Sequence, residues 1–277
     1  MDWSKAKSIL IAVFLVLNIA LLAGIISSRL DRGVSAEALS STVKILEGKG
    51  IVLECEIPVY NSNTPILEYQ SNKLNRSLIS ERLFGGDYES SAKTEKGEVQ
   101  VKDSKTLHFE NHDKFMFTDV NPDNPIDMSD RKKVESQLRR FMEGIGHNMS
   151  SYILDFYKEQ EDGSVRVRFT EKYRRFLVFD NYVEIEASSK GIDYIECKYK
   201  EVKGFLNEEA IVMPAYQVLL KNFMESKGTV ITAIDIGFKG FESDRDMKQS
   251  SEGPAWRVTL KGEDPLYFRT SDGKPIK

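Results

Sequence analysis

Residues 8–28 carry no charged side chain, and beyond them apolar positions come in short groups separated by charges and turn residues. At about 1.5 Å per residue, a helix of that length crosses the roughly 30 Å hydrocarbon core of a bilayer. A cleavable signal peptide has an apolar stretch of about 7–15 residues closed by small residues. Here Ala20, Ala23 and Gly24 lie inside the run, so an uncleaved transmembrane signal anchor is expected ahead of a cleaved signal or a buried soluble helix. Lys5 and Lys7 favour a cytoplasmic amino end, and Arg29 and Arg32 oppose it. A long domain translocates largely regardless of its charges, so the basic head decides. The expected protein is single-pass in the cell membrane, with 1–7 cytoplasmic, 8–28 in the bilayer and the main domain extracytoplasmic.

Past the anchor, the pattern predicts a helix over 36–47, capped by Ser35 and stopped by Gly48. A strand over 51–57, a loop over 61–65 and a helix over 71–83 follow, then strands over 98–101, 105–110 and 114–120. Asn121-Pro-Asp-Asn-Pro125 is the clearest break. Beyond it come a helix from Ser129 to about residue 143 and strands over 151–160, 164–173, 176–188 and 192–202. In the second of these Val165, Val167 and Phe169 alternate with Arg166 and Arg168, the mark of a half-buried antiparallel strand. A helix over 214–227 and strands over 229–238, 255–261 and 266–270 end the chain. The expected class is α+β: one transmembrane helix, then two extracytoplasmic lobes of antiparallel sheet packed with helices, at 29–125 and 126–277.

Two features of the anchor point to partner helices. Ala12, Val16, Ala20, Gly24 and Ser28 recur every four residues, and all but Val16 are small, so another helix backbone can approach closely. On roughly the opposite face, Asn18 places an amide near mid-membrane, where an interhelical hydrogen bond is worth about 0.6–2 kcal/mol.

Composition removes several functions. Of 277 residues, 40% are hydrophobic and 10% aromatic, too many for a disordered chain. The formal charge of -4 becomes -5 once Lys5, Lys7 and Asp2 are set apart, and an acidic domain is a poor binder of phosphate backbones. Nucleic acid is therefore not an expected partner. Cys55 and Cys197 are too few for a disulfide framework or a four-thiolate zinc site. His108 and His112 flank Glu110 without a third ligand at recognisable spacing, and no P-loop, nucleotide fingerprint or G-x-S-x-G elbow is present. Paired carboxylates such as Glu184 and Glu186 carry no weight among 43 acidic residues. No enzyme, cofactor or metal is expected. The basic residues Arg166, Arg168, Lys172, Arg174 and Arg175 read as a solvated sheet face or as a surface for an acidic partner.

The opening Met1-Asp2-Trp3-Ser-Lys5-Ala-Lys7, running into Phe14-Leu-Val-Leu-Asn18, resembles that of the YycI (WalI) family. Met213-Pro-Ala-Tyr216, Ile234-Asp-Ile-Gly237 and Pro254-Ala-Trp256 resemble that family's C-terminal half. The resemblance implies a non-enzymatic regulator of the WalK (YycG) sensor histidine kinase of an essential two-component system that controls the cell wall. It further implies a fold like that of YycH, joint action with YycH, and contact through transmembrane helices. A second likeness is to PepSY-type modules: Pro254-Ala-Trp256-Arg-Val-Thr-Leu, then Leu266-Tyr-Phe, then Asp272-Gly273. It implies a wall-facing binding or inhibitor module on a passive anchor, whose ligand would be a wall polymer or peptide.

Overall fold

The computed structural model describes residues 11, 13–19, 21–22, 35–60, 63–70, 74–86, 90–94, 97–240 and 251–276, with 90–94 as backbone alone. Helix α1 (Ala36–Gly48) begins where Ser35 Oγ accepts the Ala38 N–H at 3.1 Å. It buries Thr42 and Leu46 and is followed by the short strand β1 (Val52–Leu53). Strand β2 (Thr64–Tyr69) occupies part of the stretch expected as a loop. Helix α2 (Arg76–Phe84) starts at Asn75, which caps Leu78 N–H, and ends at Gly85 in the left-handed conformation.

A meander follows: β3 (Ser90–Thr94), β4 (Gly97–Lys102), β5 (Lys105–Phe109) and β6 (Lys114–Asp119). Helix α3 (Arg131–Gly144) buries Val134, Leu138 and Met142 against that sheet. Four more strands continue it: β7 (Tyr152–Glu159), β8 (Val165–Tyr173), β9 (Phe176–Ser188) and β10 (Gly191–Lys198). Strand β11 (Val202–Ala210) leaves for a second sheet, and α4 (Ala215–Phe223) leads into β12 (Val230–Phe238). Short β13 (Ser251–Glu252), then β14 (Pro254–Leu260), β15 (Leu266–Arg269) and β16 (Pro275–Ile276) complete the described chain.

Thirteen of the described strands form one sheet, with a path β16-β15-β14-β12-β9-β10-β6-β5-β4-β3. Strand β1 lies beside β12, and β7 and β8 extend from β9. The pairs are antiparallel except β1–β12 and β9–β12, which are parallel. A three-stranded sheet, β11-β2-β13, stands beside the large one.

The expected division at residue 125 does not separate the cores. One core runs from Ile79 to Cys197 and straddles that break, because β6 pairs with β10, Phe117 opposite Ile195. The other joins Leu46, Ile51 and Ile57 to Ala215–Phe268 residues such as Leu219, Trp256 and Phe268. The chain enters one core, builds the other, and returns. The Asn121–Pro125 break is a loop within a lobe. Among the described residues no helix is long and apolar enough to cross a membrane, and the expected anchor lies mostly outside them.

Candidate functional site

The two cores meet where β9 and β12 run side by side, Gly237 opposite Leu177 and Phe238 opposite Val178. A side chain at 237 has no room: a Cβ there stands 2.4 Å from the Leu177 carbonyl oxygen and 2.7 Å from Phe179. Glycine is what lets the strands approach. Around this crossing lie Tyr69, Phe176, Val178 and Phe238, which form a third small cluster under the three-stranded sheet.

Charged residues line the same seam, and each is paired. Arg257 of β14, 8% exposed, grips both oxygens of Asp155 of β7 at 2.5 and 2.9 Å. It also donates to Asp235 of β12 at 2.8 and 3.2 Å and lies over the Phe179 ring. Asp155 further accepts from the Thr170 hydroxyl. Burial works against the Asp155 carboxylate, but Arg257 and Thr170 outweigh it and hold its pKa below the ordinary value. Asp180 of β9 is treated the same way. Burial raises it, and Lys198 and Lys239 pull it down to about 2. Lys239 Nζ sits 2.9 Å from Asp180, and the Gly240 N–H donates to it at 3.2 Å. Glu252 of β13, almost wholly buried, accepts from Tyr69 at 2.6 Å and Lys200 at 3.2 Å. Burial, then the nearby Asp180 charge, raises its pKa. Arg257 bridges Asp155 and Asp235, and lysines face Asp180 and Glu252, so the seam ties the two cores together while Asp235 keeps part of its surface in solvent.

The family-like motifs converge here. Asp235 and Gly237 belong to Ile234-Asp-Ile-Gly237, and Arg257 follows Pro254-Ala-Trp256. Trp256 is fully buried, and its indole N–H donates to the Met213 carbonyl at 2.8 Å, closing the entry to α4. The Asp272-Gly273 turn is held by Arg269, which donates to Asp272 at 2.6 and 3.1 Å.

The other sequence candidates separate. Arg166 and Arg168 are both taken by Glu184, and Arg168 stacks on Tyr182. Arg174 and Arg175 lie over Phe205 and Phe176, and Arg175 reaches the Tyr60 hydroxyl. Arg166 and Arg168 are thus ion-paired on the sheet, while Lys172, Arg174 and Arg175 stand exposed. His108 lies on β5 opposite Met116, and His112 in the following bend, so they do not share one face of one element. Among the described residues no three His, Cys, Asp or Glu side chains gather as a metal site. Cys55 and Cys197 are free thiols in different cores. Ala12, Ala20 and Gly24 lie outside the described residues. Val16 and Asn18 are helical and exposed, and Asn18 Nδ2 donates back to the Phe14 carbonyl at 2.8 Å. Sequence reasoning missed the seam because its partners sit far apart in the chain, Arg257 being 102 residues from Asp155.

The family model described as "YycI protein" matches residues 33–268. No curated protein matches the sequence. A crystal structure of an uncharacterized protein from Eubacterium rectale ATCC 33656 superposes with a TM-score of 0.52 at 9% identity, covering 82% of this chain and 91% of that one. At that identity the likeness concerns the fold alone. The crystal structure of YycH from Bacillus subtilis gives a TM-score of 0.49 at 10% identity, and covers 80% of this chain and 56% of that one.

Proposed function

This chain belongs to the YycI family, and from that membership we propose that it is a non-enzymatic regulator of the WalK (YycG) sensor histidine kinase, acting together with YycH. The observation that carries the reading is the family match across 33–268, which takes in both cores and the seam. Residues 8–28 are the coupling element in this reading, with the cytoplasmic head too short to act alone. The Ala12, Val16, Ala20 and Gly24 ridge meets one helix of a membrane partner, and Asn18 meets another. Asn18 suits this role because its bond to Phe14 uses one N–H and leaves the carbonyl oxygen and the second N–H for a neighbouring helix. Regulation then consists of favouring one packing of the kinase helices over another, by as much as the contacts differ between the two.

The test replaces 8–28 with an unrelated apolar helix, and separately makes Asn18→Leu, in cells whose kinase output is read by a reporter gene. Output is expected to move toward that of a strain lacking the protein, with Asn18→Leu giving part of the change. Unaltered regulation in both variants refutes the anchor mechanism. The alternative is a wall-facing PepSY-like module on a passive anchor, and unaltered regulation in both variants favours it.

A further inference from the structure

A cavity of about 370 Å³ lies between the end of α2, strands β5, β6 and β10, helix α3 and the Asn121–Pro125 loop. Phe84, Phe117, Ile126, Phe141 and Ile192 wall it, so its body is apolar and largely aromatic. The loop that marks the clearest break in the sequence forms its rim through Pro122 and Pro125. Gly191 lets that rim close. Its φ is +151, and a Cβ there would stand 2.7 Å from Pro122 Cβ and 3.0 Å from the Asn124 carbonyl oxygen. The volume falls in the lower part of the range for small-molecule pockets, which are apolar with a few placed polar groups.

The polar side chains of the lining are Arg82, Lys105, Asp119, Asn124 and Gln137, and all but Arg82 are engaged within the protein. Gln137 Oε1 accepts the Asp127 N–H at 3.1 Å, and its Nε2 donates to the carbonyls of Asp127 and Lys133. Asn124 donates to the Asp123 carboxylate at 3.0 Å. Asp119, 4% exposed, accepts from the Ser104 hydroxyl at 2.6 Å and the Asn121 N–H at 3.0 Å, and Lys105 stands 4.0 Å from its other oxygen. Arg82, exposed on the last turn of α2, makes no hydrogen bond or ion pair among the described residues. Lys102 donates to the Phe84 carbonyl at 2.9 Å and so offsets the negative end of that helix.

The charged groups of the lining are thus two cations, Arg82 and Lys105, against one carboxylate, Asp119, which leaves a single positive charge. An occupant with one negative charge and an apolar body matches both the walls and the charge. A carboxylate carries that one charge, whereas a phosphate monoester carries about 1.5 to 2. A guanidinium takes a carboxylate through two parallel N–H bonds, and the free Arg82 has its donors available for them. A cationic occupant would meet two like charges at the same wall.

We propose that this cavity binds a small monocarboxylate with a compact apolar body, its carboxylate on Arg82 and its body among Phe84, Phe117 and Phe141. The inference stands on this lobe's geometry and is independent of the kinase reading.

The experiment titrates full-length protein in lipid nanodiscs, labelled at its isoleucine methyl groups, with phenylacetate, and follows Ile126 and Ile192 by NMR. Empty discs give the blank for partition into lipid. Both methyl resonances are expected to shift saturably. Phenylacetamide, which is neutral, phenethylamine, which is cationic, and acetate, which lacks the apolar body, are each expected to bind at least tenfold more weakly. Arg82→Gln, at an exposed position, is expected to bind phenylacetate about tenfold more weakly and phenylacetamide as before. Phe141→Trp fills the cavity from a half-buried position and is expected to abolish saturation in a protein with unchanged circular dichroism. The proposal is overturned if phenylacetate does not saturate, if the amide or the amine binds as well, or if Arg82→Gln or folded Phe141→Trp binds phenylacetate normally. Tighter binding of acetyl-glycyl-glycyl-phenylalanine, which presents the same acid on a peptide, overturns the small acid in favour of a chain terminus.

Discussion

Arg257→Met tests the seam most directly. The substitution keeps a long, unbranched side chain over Phe179 but removes every donor that Asp155 receives except the Thr170 hydroxyl. Asp155, whose side chain is 9% exposed, is then left as a nearly uncompensated buried charge. Removing one partner of a buried ion pair costs about 3–5 kcal/mol. Asp235, at 36% exposure, keeps its solvent and adds little. For a folded unit of this size each kcal/mol moves Tm by about 2–4 °C, so a fall of about 10 °C is expected. Urea denaturation of the full chain in micelles gives the free energy. The companion Asp155→Leu and the double variant complete a cycle. With both charges gone no desolvation penalty remains, so the double variant should recover most of the loss. A loss below about 0.5 kcal/mol for Arg257→Met, or additive losses in the cycle, refutes the clamp.

Three further predictions concern other sites. His147 binds its proton at about 4 when folded and near 6.5 when unfolded, so its contribution is complete above pH 6.5 and declines as pH falls toward 4. Between pH 7.5 and 5 that amounts to about 2 kcal/mol, and urea curves of His147→Phe should lack this part of the decline. Parallel pH dependence in the two proteins contradicts it. Gly237→Ala forces β9 and β12 apart, because the new methyl group meets a backbone oxygen at 2.4 Å. A loss of about 1–3 kcal/mol is expected, with faster amide exchange at Phe238. Cys55 and Cys197 stay reduced, so dithiothreitol should leave Tm unchanged, and a maleimide should reach Cys197 only after unfolding.

Local signals in the chain were legible where they stood alone. Ser35 caps α1 as its chemistry requires, whereas Gly48, expected as the stop, is its last helical residue: Lys49 is the C-cap and the left-handed glycine is Gly50. The Val165, Val167 and Phe169 alternation is buried on β8, while Arg166 and Arg168 face out. The stretch Asn61–Pro65 hid β2, because Pro65 reads as a loop residue although it pairs with Glu209 at the start of the strand. One expected strand over 192–202 divides between β10 and β11, which serve different sheets. That one core straddles residue 125 was hidden for a different reason. Asn121–Pro125 is a strong local break, but a break says nothing of which strands pair across it, and β6 with β10 decides the core. The partners of Arg257 on β7 and β12 are invisible to any window of neighbouring residues. The candidate anchor was legible only as a run of apolar residues, and most of it lies outside the described structure.

The order in which the cores are completed differs from the order in which they begin. Helix α1 is made early, but Leu46 and Ile51 pack on α4, β12 and β14, which lie about 160 or more residues later. At roughly 5–20 residues per second, α1 waits about ten to thirty seconds for its surroundings after it leaves the ribosome. The lobe built from residues 74–199 is contiguous and has all its core residues well before that. During synthesis, protection around Phe169 and Ile185 is therefore expected before that around Trp256, read on stalled ribosome-bound chains of increasing length. During the interval the apolar side of α1 is open, and a chaperone or a membrane partner that holds it then acts on the protein before its second core exists.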